Sequence, residues 1–421
     1  GVTYQIFPDR FRRTSVPDVG GMVGRRWVHD NWSDQPVFLP DEQGQITNRD
    51  FFGGSLAGIT EKLDYLKSLS VSTIYLNPIF EADSNHRYNT ADYHAIDPML
   101  GSEEDFRTLC REAHARGIHI ILDGVFNHTG SNSRYFNAEG FYPEPGAAQS
   151  TESPYFSWYS FHPWPTDYDA WWGVHTLPAV NEEQPDYRRF IISDKNSVVR
   201  HWLRDGADGW RLDVASEVND DFWRAFRKRV KAANPQALLI GEVWESAGHW
   251  LQGDMFDSTM NYDLRKHCTL FFGEGSIDSA AFSGRITNML MRYKRAILPA
   301  QLNLLDSHDV SRFRSVCGSE ARFRLAVLFQ FCFVGMPTVF YGDELGIQGI
   351  TEEEFRAPMP WNGGNLSLLG FYRRAIAMRQ TLAPLRCGTF RMLRAEKGSQ
   401  LIAFCRQYDG KTVIVCLNAG A

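Results

Sequence analysis

Three absences narrow the field before any motif is considered. None of the seven cysteines stands in a C-x-x-C pair; they are odd in number and scattered from Cys110 to Cys416. Neither a zinc site nor a disulfide framework is therefore expected, and metal ligation is not predicted anywhere in the chain. Reduced, mostly buried thiols fit the pattern and lean towards the cytoplasm. The chain opens at Gly1 without an initiator methionine and runs straight into the β-rich stretch Val2 to Phe7, as a fragment does, which leaves secretion open. A basic surplus is also missing: 44 Lys and Arg stand against 50 Asp and Glu, for a formal net charge of −6. Such a chain has nothing to track a phosphate backbone with, so no nucleic-acid partner is expected. Finally there is no long apolar run. The longest, Leu325 to Tyr341, is interrupted by Gln330, Gly335 and Pro337. It reads as a buried helix followed by a buried strand, and no membrane partner is expected.

What is present is an ordinary globular composition, 43% hydrophobic and 22% charged. At 421 residues the chain suggests one large domain with attachments, or two to three domains. Aromatics reach 14%. Flat faces at that density suit sugar rings, although most of them belong to the core.

Short β-branched runs alternate with helical patterns over most of the length. Gly58 to Leu69 keeps Ile59, Leu63, Leu66 and Leu69 at helical spacing before the run Thr73 to Leu76. Ser102 with Asp105 forms a capping-box start, and Gly117 ends that helix before Ile118 to Leu122. Asp220 to Ala233 repeats the scheme and stops at Asn234-Pro235, ahead of Leu238 to Ile240. With Val2 to Phe7, Gly209 to Leu212, a weak run near Thr259, Gln301 to Leu305 and Thr338 to Tyr341, the candidate strands number eight. Eight β-then-α units predict an α/β fold, a closed parallel (β/α)8 TIM barrel, with a doubly wound open sheet as the alternative.

Two stretches break the repeat. Thr129 to about Pro185 is far longer than an ordinary βα loop and rich in Trp and Tyr, which predicts an inserted B subdomain over 129–185. The barrel then comprises 1–128 and 186–384. After about Pro384, Leu401 to Arg406 and Thr412 to Leu417 flank Tyr408-Asp409-Gly410. This predicts a hairpin that starts a C-terminal β-domain over 385–421, cut short at Ala421.

In a parallel barrel the working residues sit at the carboxyl ends of strands. Asp123 ends the third strand inside DGVFNH, which also holds Asn127 and His128; Asp213 ends the fourth inside GWRLDVASE; Glu242 ends the fifth inside GEVWE; His308 and Asp309 follow the seventh inside LLDSHD. Arg211 and Asp213 share one side of a strand, so the guanidinium is expected to keep that carboxylate ionised, as a nucleophile requires. Taken alone, the pair is equally a structural ion pair. Four carboxylates at one mouth, however, cost several kcal/mol of desolvation each, roughly, unless pairing or function offsets it. Without metal or phosphate motifs, the chemistry that needs them is glycoside hydrolysis, in which one carboxylate attacks the anomeric carbon and a protonated carboxyl serves the leaving oxygen. Glu242, between an apolar strand and Val243-Trp244, is expected to have a raised pKa.

These motifs make the chain similar to the α-amylase family of glycoside hydrolases, and within it to the neopullulanase, cyclomaltodextrinase and maltogenic amylase group. FFGGSLAGITEKLDYL, IYLNPIFEADSNHRYNTADYHAIDP and LPAVN support the likeness, which runs from about Gly1 to Leu417. The resemblance implies Asp213 as nucleophile of a retaining mechanism, Glu242 as general acid/base and Asp309 as the third carboxylate. It implies that Arg211 orients Asp213, that His128 and His308 bond sugar hydroxyls, that Tyr88 stacks under the cleaved sugar with His86 nearby, and that Trp244 packs beside Glu242 and touches substrate. Asp123 and Asn127 become supporting residues; Glu217 and Asn181 match acceptor-side and lid positions. The implied substrate is an oligosaccharide or polysaccharide α-glucan with α-1,4 or α-1,6 links, and the implied assembly is a homodimer where an N-terminal domain is present. No cofactor is required. PDRFRRTSVPD lacks the Asn and Asp spacing with which relatives bind calcium, so calcium is not expected there. Ser216 and Ala179 depart from the group's usual residues, which touches selectivity.

A 4-α-glucanotransferase on the same site, or a non-catalytic glucan-binding protein, are the alternatives. Arg312 is expected either to meet an active-site carboxylate or to cap its loop. His29, His94 and His249 read as structural, Trp158, Trp164, Trp171 and Trp172 as divided between subdomain core and sugar platform, and Glu352 to Glu354 as a solvated loop.

Overall fold

The structure, a computed structural model, describes residues 1–15, 25–38, 40, 44, 46 and 48–420. The last three residues of PDRFRRTSVPD, Val16 to Asp18, lie outside them.

The eight expected runs form eight parallel strands: β1 (Thr3–Ile6), β2 (Thr73–Leu76), β3 (His119–Gly124), β4 (Gly209–Leu212), β5 (Leu238–Gly241), β6 (Ser258–Thr259), β7 (Leu302–Leu304) and β8 (Met336–Phe340). Neighbours in sequence are neighbours in the sheet, and β1 pairs with both β2 and β8. A parallel bridge from Met260 to Leu302 joins β6 to β7, so the sheet closes and the open-sheet alternative falls. Short strands suffice because both faces are buried: Tyr75, Ile121, Ile240, Met260, Leu302 and Leu304 fill the interior, while Tyr4, Ile74, Leu122 and Leu239 face the helices.

The surrounding helices follow their sequence signals. Ser102 and Asp105 cap the helix Glu103–Ala115 reciprocally, and Gly117 beyond its end takes φ +70°, a backbone suited to glycine. Asp220–Ala233 buries Phe222, Trp223, Phe226 and Val230 on one face and ends before Pro235. The helix read over 58–69 is in fact two, Leu56–Glu61 and Leu63–Ser68, broken at Lys62 (ψ 5°). Its apolar period continues across the break, which is why periodicity missed it.

The segment between β3 and β4 carries little regular structure. It packs around Tyr135, Phe136, Trp158 and Tyr159 and is tied to the barrel by an antiparallel bridge between His128 and Ala179. At the far end the expected hairpin, β10 (Leu401–Tyr408) with β11 (Lys411–Asn418), turns through Asp409 and Gly410 at positive φ. A strand that the sequence reading lacked, β9 (Thr389–Ala395), completes an antiparallel sheet of order β9-β10-β11. Among the described residues, no helix is long and apolar enough to cross a membrane.

Candidate active site

The carboxyl ends of the strands open into a cleft of about 880 Å³ lined by His86, Tyr88, His128, Asp213, Glu217, Glu242, Trp244, His308 and Asp309, among others. Two of the carboxylates sit one residue beyond their strands and are still held by the ladder. The Asp213 N–H donates to the Gly124 carbonyl (3.0 Å) and the Glu242 N–H to the Leu212 carbonyl (2.9 Å). Register places Arg211 opposite Asp123, one step below the mouth.

Arg211 is fully buried and serves more than one partner. Its Nη1 lies 2.7 Å from Asp213 Oδ1 and 3.0 Å from Asp123 Oδ1. Its Nη2 lies 3.0 Å from Glu242 Oε1, a close charge contact but out of line for a hydrogen bond. Burial works against the guanidinium charge, yet Asp123 and Glu242 outweigh it and hold the cation. Asp123 also accepts from the hydroxyls of Tyr75 (2.6 Å) and Tyr88 (2.8 Å), so it supports Arg211 and Tyr88 from beneath the cleft.

The expected division of protons needs correction. Burial, then the neighbouring Glu242, raises the Asp213 carboxyl well above its ordinary range, and Arg211 does not reverse this. The reason is arithmetic of charge: one buried guanidinium is shared among Asp123, Asp213 and Glu242. Nor are the surroundings of Glu242 apolar. Its Oε2 accepts from the Val214 N–H (2.8 Å) and its Oε1 from the Trp244 indole N–H (3.2 Å). Val214 achieves this at φ +46°, a left-handed conformation strained for a β-branched residue. Burial, followed by Glu242, pushes Asp309 up to about 7. Burial thus raises Asp213 and Asp309 together, and the two are coupled through their shared neighbours.

The histidines are neutral donors. Burial lowers His128 to about 4; its Nδ1 meets the Asn127 amide at 3.2 Å, and among the described residues its buried Nε2 has no hydrogen-bond partner. Burial, followed by Arg211, holds His308 well below its usual range. The Gln5 amide donates to His308 Nδ1 (2.9 Å), which puts the ring proton on Nε2, 3.1 Å from Asp309 Oδ2. Burial, then Arg356, lowers His86 to about 3, and its Nδ1 accepts the Tyr88 N–H (3.1 Å). The Tyr88 ring lies parallel to His308 at 5.1 Å. It is fixed from the preceding residue, since Arg87 is buried at positive φ and paired with Asp97.

Some expectations do not join the site. Asn181 is exposed and shapes a turn, donating its N–H to Trp158 O (2.7 Å), and it does not line the cleft. Arg312 meets no active-site carboxylate: it pairs with Asp343 (2.7 Å) and donates to the carbonyls of Tyr341 and Phe355, bracing the loop after β8. Glu352–Phe355 is a short helix rather than a solvated loop, and Glu352 lines the cleft and pairs with Arg356. Trp158 is buried, Trp164 donates to Ala147 O, and Trp171 and Trp172 line the cleft. His29, His94 and His249 bond Asp50, the Asn196 carbonyl and Asp220, as structural histidines do.

Four residues the sequence reading missed belong here. Arg356 donates to His308 O (2.8 Å) and lies 3.7 Å from Asp309; no local signal links it to Asp309, 47 positions away. Tyr75, Gln5 and Tyr262 could have been found, since each is a polar-tipped residue at or near the carboxyl end of a strand. Tyr262 stacks on Trp244 at 3.8 Å, leaving one indole face open. At the calcium question, Asp9 accepts from Arg10 and from the N–H groups of Phe52 and Gly53, and Arg10 also reaches Asp50. Both carboxylates thus already face a guanidinium.

Comparison with known proteins agrees with this geometry: the alpha amylase catalytic domain matches residues 5–371. The chain belongs to the α-amylase family. It is 40% identical to Neopullulanase 2 of Thermoactinomyces vulgaris over 99% of this chain and 69% of that protein. It is 37% identical to a cyclomaltodextrinase of Thermoanaerobacter pseudethanolicus over 99% of this chain and 70% of that one. Among solved structures, the ligand-free cyclic alpha-maltosyl-(1→6)-maltose hydrolase of Arthrobacter globiformis superposes with a TM-score of 0.88 at 34% identity, covering 99% of this chain and 90% of that one. As a member of this family the chain is a glycoside hydrolase.

Proposed function

We propose that the chain hydrolyses α-1,4 and α-1,6 glucosidic bonds in cyclodextrins, pullulan, starch or maltooligosaccharides with retention of configuration. One observation carries the mechanism: a single guanidinium touches both Asp213 and Glu242, which ties the two at short range. A retaining pair stands roughly 5 to 5.5 Å apart, a spacing that two carboxyls held on one guanidinium can meet. In the reactive state the proton sits on Glu242 while Asp213 is ionised beside Arg211; Asp213 then attacks the anomeric carbon as the glycosidic C–O bond breaks, and the proton from Glu242 goes to the leaving oxygen. Glu242 then takes a proton from water, whose oxygen displaces Asp213. Asp309 with His308, His128 Nε2–H and Tyr88 hold the hydroxyls and face of the cleaved glucose, and Trp244 offers its open face to the next ring. Every group the reaction needs is a side chain, so the reading requires no cofactor.

The relatives' names favour hydrolysis over glucanotransfer, and the closed set of carboxylates argues against a protein that only binds glucan. We also take 1–128 with 186–384 as the catalytic barrel, 129–185 as the inserted subdomain and 385–421 as the C-terminal β-domain. The test is an activity panel over cyclodextrin, pullulan, starch and maltotriose, with the first product's anomer read by proton NMR. An α-anomeric product, lost in Asp213→Asn and Glu242→Gln, is expected; a β-anomer, or full activity in either variant, refutes the assignment.

A further inference from the structure

The segment after β3 returns to the barrel through two consecutive tryptophans, and their surroundings assign Glu217 a task other than contacting sugar. Trp171 lies against His128 (ring centroids 5.3 Å apart, planes at 24°) and Trp172 lies against Trp171 (4.9 Å, 19°). Three flat rings thus run in file from the buried imidazole to an indole that is 78% exposed. Neither indole N–H bonds within its own segment. Trp171 Nε1 donates to Glu217 Oε2 and Trp172 Nε1 to Glu217 Oε1, each at 3.1 Å. Both carboxylate oxygens are therefore engaged by the lid. Charge assistance strengthens such bonds relative to neutral ones. Two backbone positions bring the partners together: Val214 (φ +46°), which turns the chain after Asp213, and Trp172 (φ +50°), which turns the lid. Bulky side chains rarely adopt that conformation, and it persists only where the surroundings over-determine it.

We propose that Glu217 is a positioning residue, a latch whose carboxylate fixes the Trp171–Trp172 pair to the turn that carries Asp213. The free face of Trp172 is thereby set as a wall of the cleft for a glucose ring of a longer α-glucan. The proposal rests on the glucan reading above and gives the acceptor-side position of Glu217 an indirect role. With both oxygens taken by indoles, its effect on the sugar passes through the rings. Glutamine at this position keeps the size but offers one acceptor oxygen to two N–H donors. Phenylalanine at 171 and 172 keeps flat faces and removes the donors.

The test is a double-mutant cycle between Glu217→Gln and the pair Trp171→Phe/Trp172→Phe, read as KM and kcat on β-cyclodextrin and pullulan, together with hydrogen exchange of residues 169–177 without substrate. For a latch, Glu217→Gln raises KM by about fivefold with a smaller change in kcat, and in the Phe/Phe background the same substitution changes KM by less than about twofold, because coupled residues are non-additive. Exchange across 169–177 quickens in Glu217→Gln and slows again in Glu217→Asp, which restores a charged acceptor. Additive KM effects mean that Glu217 touches sugar itself and overturn the proposal; so does unchanged exchange in Glu217→Gln. If the unaltered protein hydrolyses no α-glucan, the functional reading fails, whereas the exchange measurement still decides the latch.

Discussion

Arg211→Met is the perturbation that most directly tests the electrostatics of the site. Methionine nearly fills the space of the arginine stem, so the change deletes charge more than volume. The guanidinium is wholly buried and lies within 3.0 Å of oxygens on Asp123, Asp213 and Glu242. Removing one partner from a buried ionic cluster typically costs about 3–5 kcal/mol, because the remaining charges are left uncompensated. Unfolding entropy scales with length, and for a chain of 421 residues it amounts to roughly 0.9 kcal/mol per degree, so Tm should fall by about 3–6 °C. The pH dependence separates charge from packing. Burial already raises Asp123 and Asp213 in the unaltered protein, and Arg211 is among the forces holding them down. Without it both rise further. A carboxyl raised above its unfolded value contributes stability that is complete below the unfolded pKa, near 4, and is lost as pH rises through the folded pKa. The variant should therefore approach wild-type Tm near pH 4 and fall away towards pH 8. Calorimetric scans of both proteins from pH 4 to 8 make the comparison. A deficit of equal size at every pH would mean lost packing and would refute the electrostatic account.

Two further predictions concern His308 and Asp309. Asp309→Asn removes a carboxyl that burial and Glu242 push up to about 7; the unfolded chain ionises it near pH 4 and the folded protein only near 7, so the variant should match wild type near pH 4 and gain up to about 4 kcal/mol by pH 8, while hydrolysis is lost. Tm against pH checks it, and a destabilised variant at pH 8 would contradict it. Gln5→Glu replaces the amide that donates to His308 Nδ1 with an acceptor, which favours the imidazolium; kcat should fall about tenfold with KM changed less, and nitrogen chemical shifts of His308 should report protonation.

The barrel was legible because short apolar runs recur with helical patterns between most of them, and the caps that bound helices such as Glu103–Ala115 and Asp220–Ala233 act locally. Asp123, Asp213, Glu242 and Asp309 were legible for a related reason: strand ends in a closed parallel sheet converge, so a residue's place along its own strand fixes its place in the cleft. What required the fold is whatever depends on neighbours across the barrel. Position along β4 predicts the Arg211–Asp213 pair, but only the barrel brings Glu242 and Asp123 to the same guanidinium, which is then shared among three carboxylates. The strand β9 was hidden because its apolar alternation breaks at Leu393 and Arg394, where its register shifts. Arg356 and Glu352 reach the cleft from beyond β8 through a short helix whose acidic start reads as surface.

The same distinction explains why so charged a centre persists in the fold. Its strand backbone is held by the ladder rather than by the charges: the N–H groups of Asp213 and Glu242 continue it, and of the three only the Val214 N–H bonds a carboxylate, Glu242 Oε2. The side chains are consequently placed by the barrel, whose interior layer of Tyr75, Ile121, Ile240, Met260, Leu302 and Leu304 does not titrate in the carboxylate range. Charge repulsion among the carboxyls then acts on proton occupancy rather than on geometry. For a site that must give up a proton and take one back in each turnover, the cost of crowding falls on protonation, the property that the reaction uses.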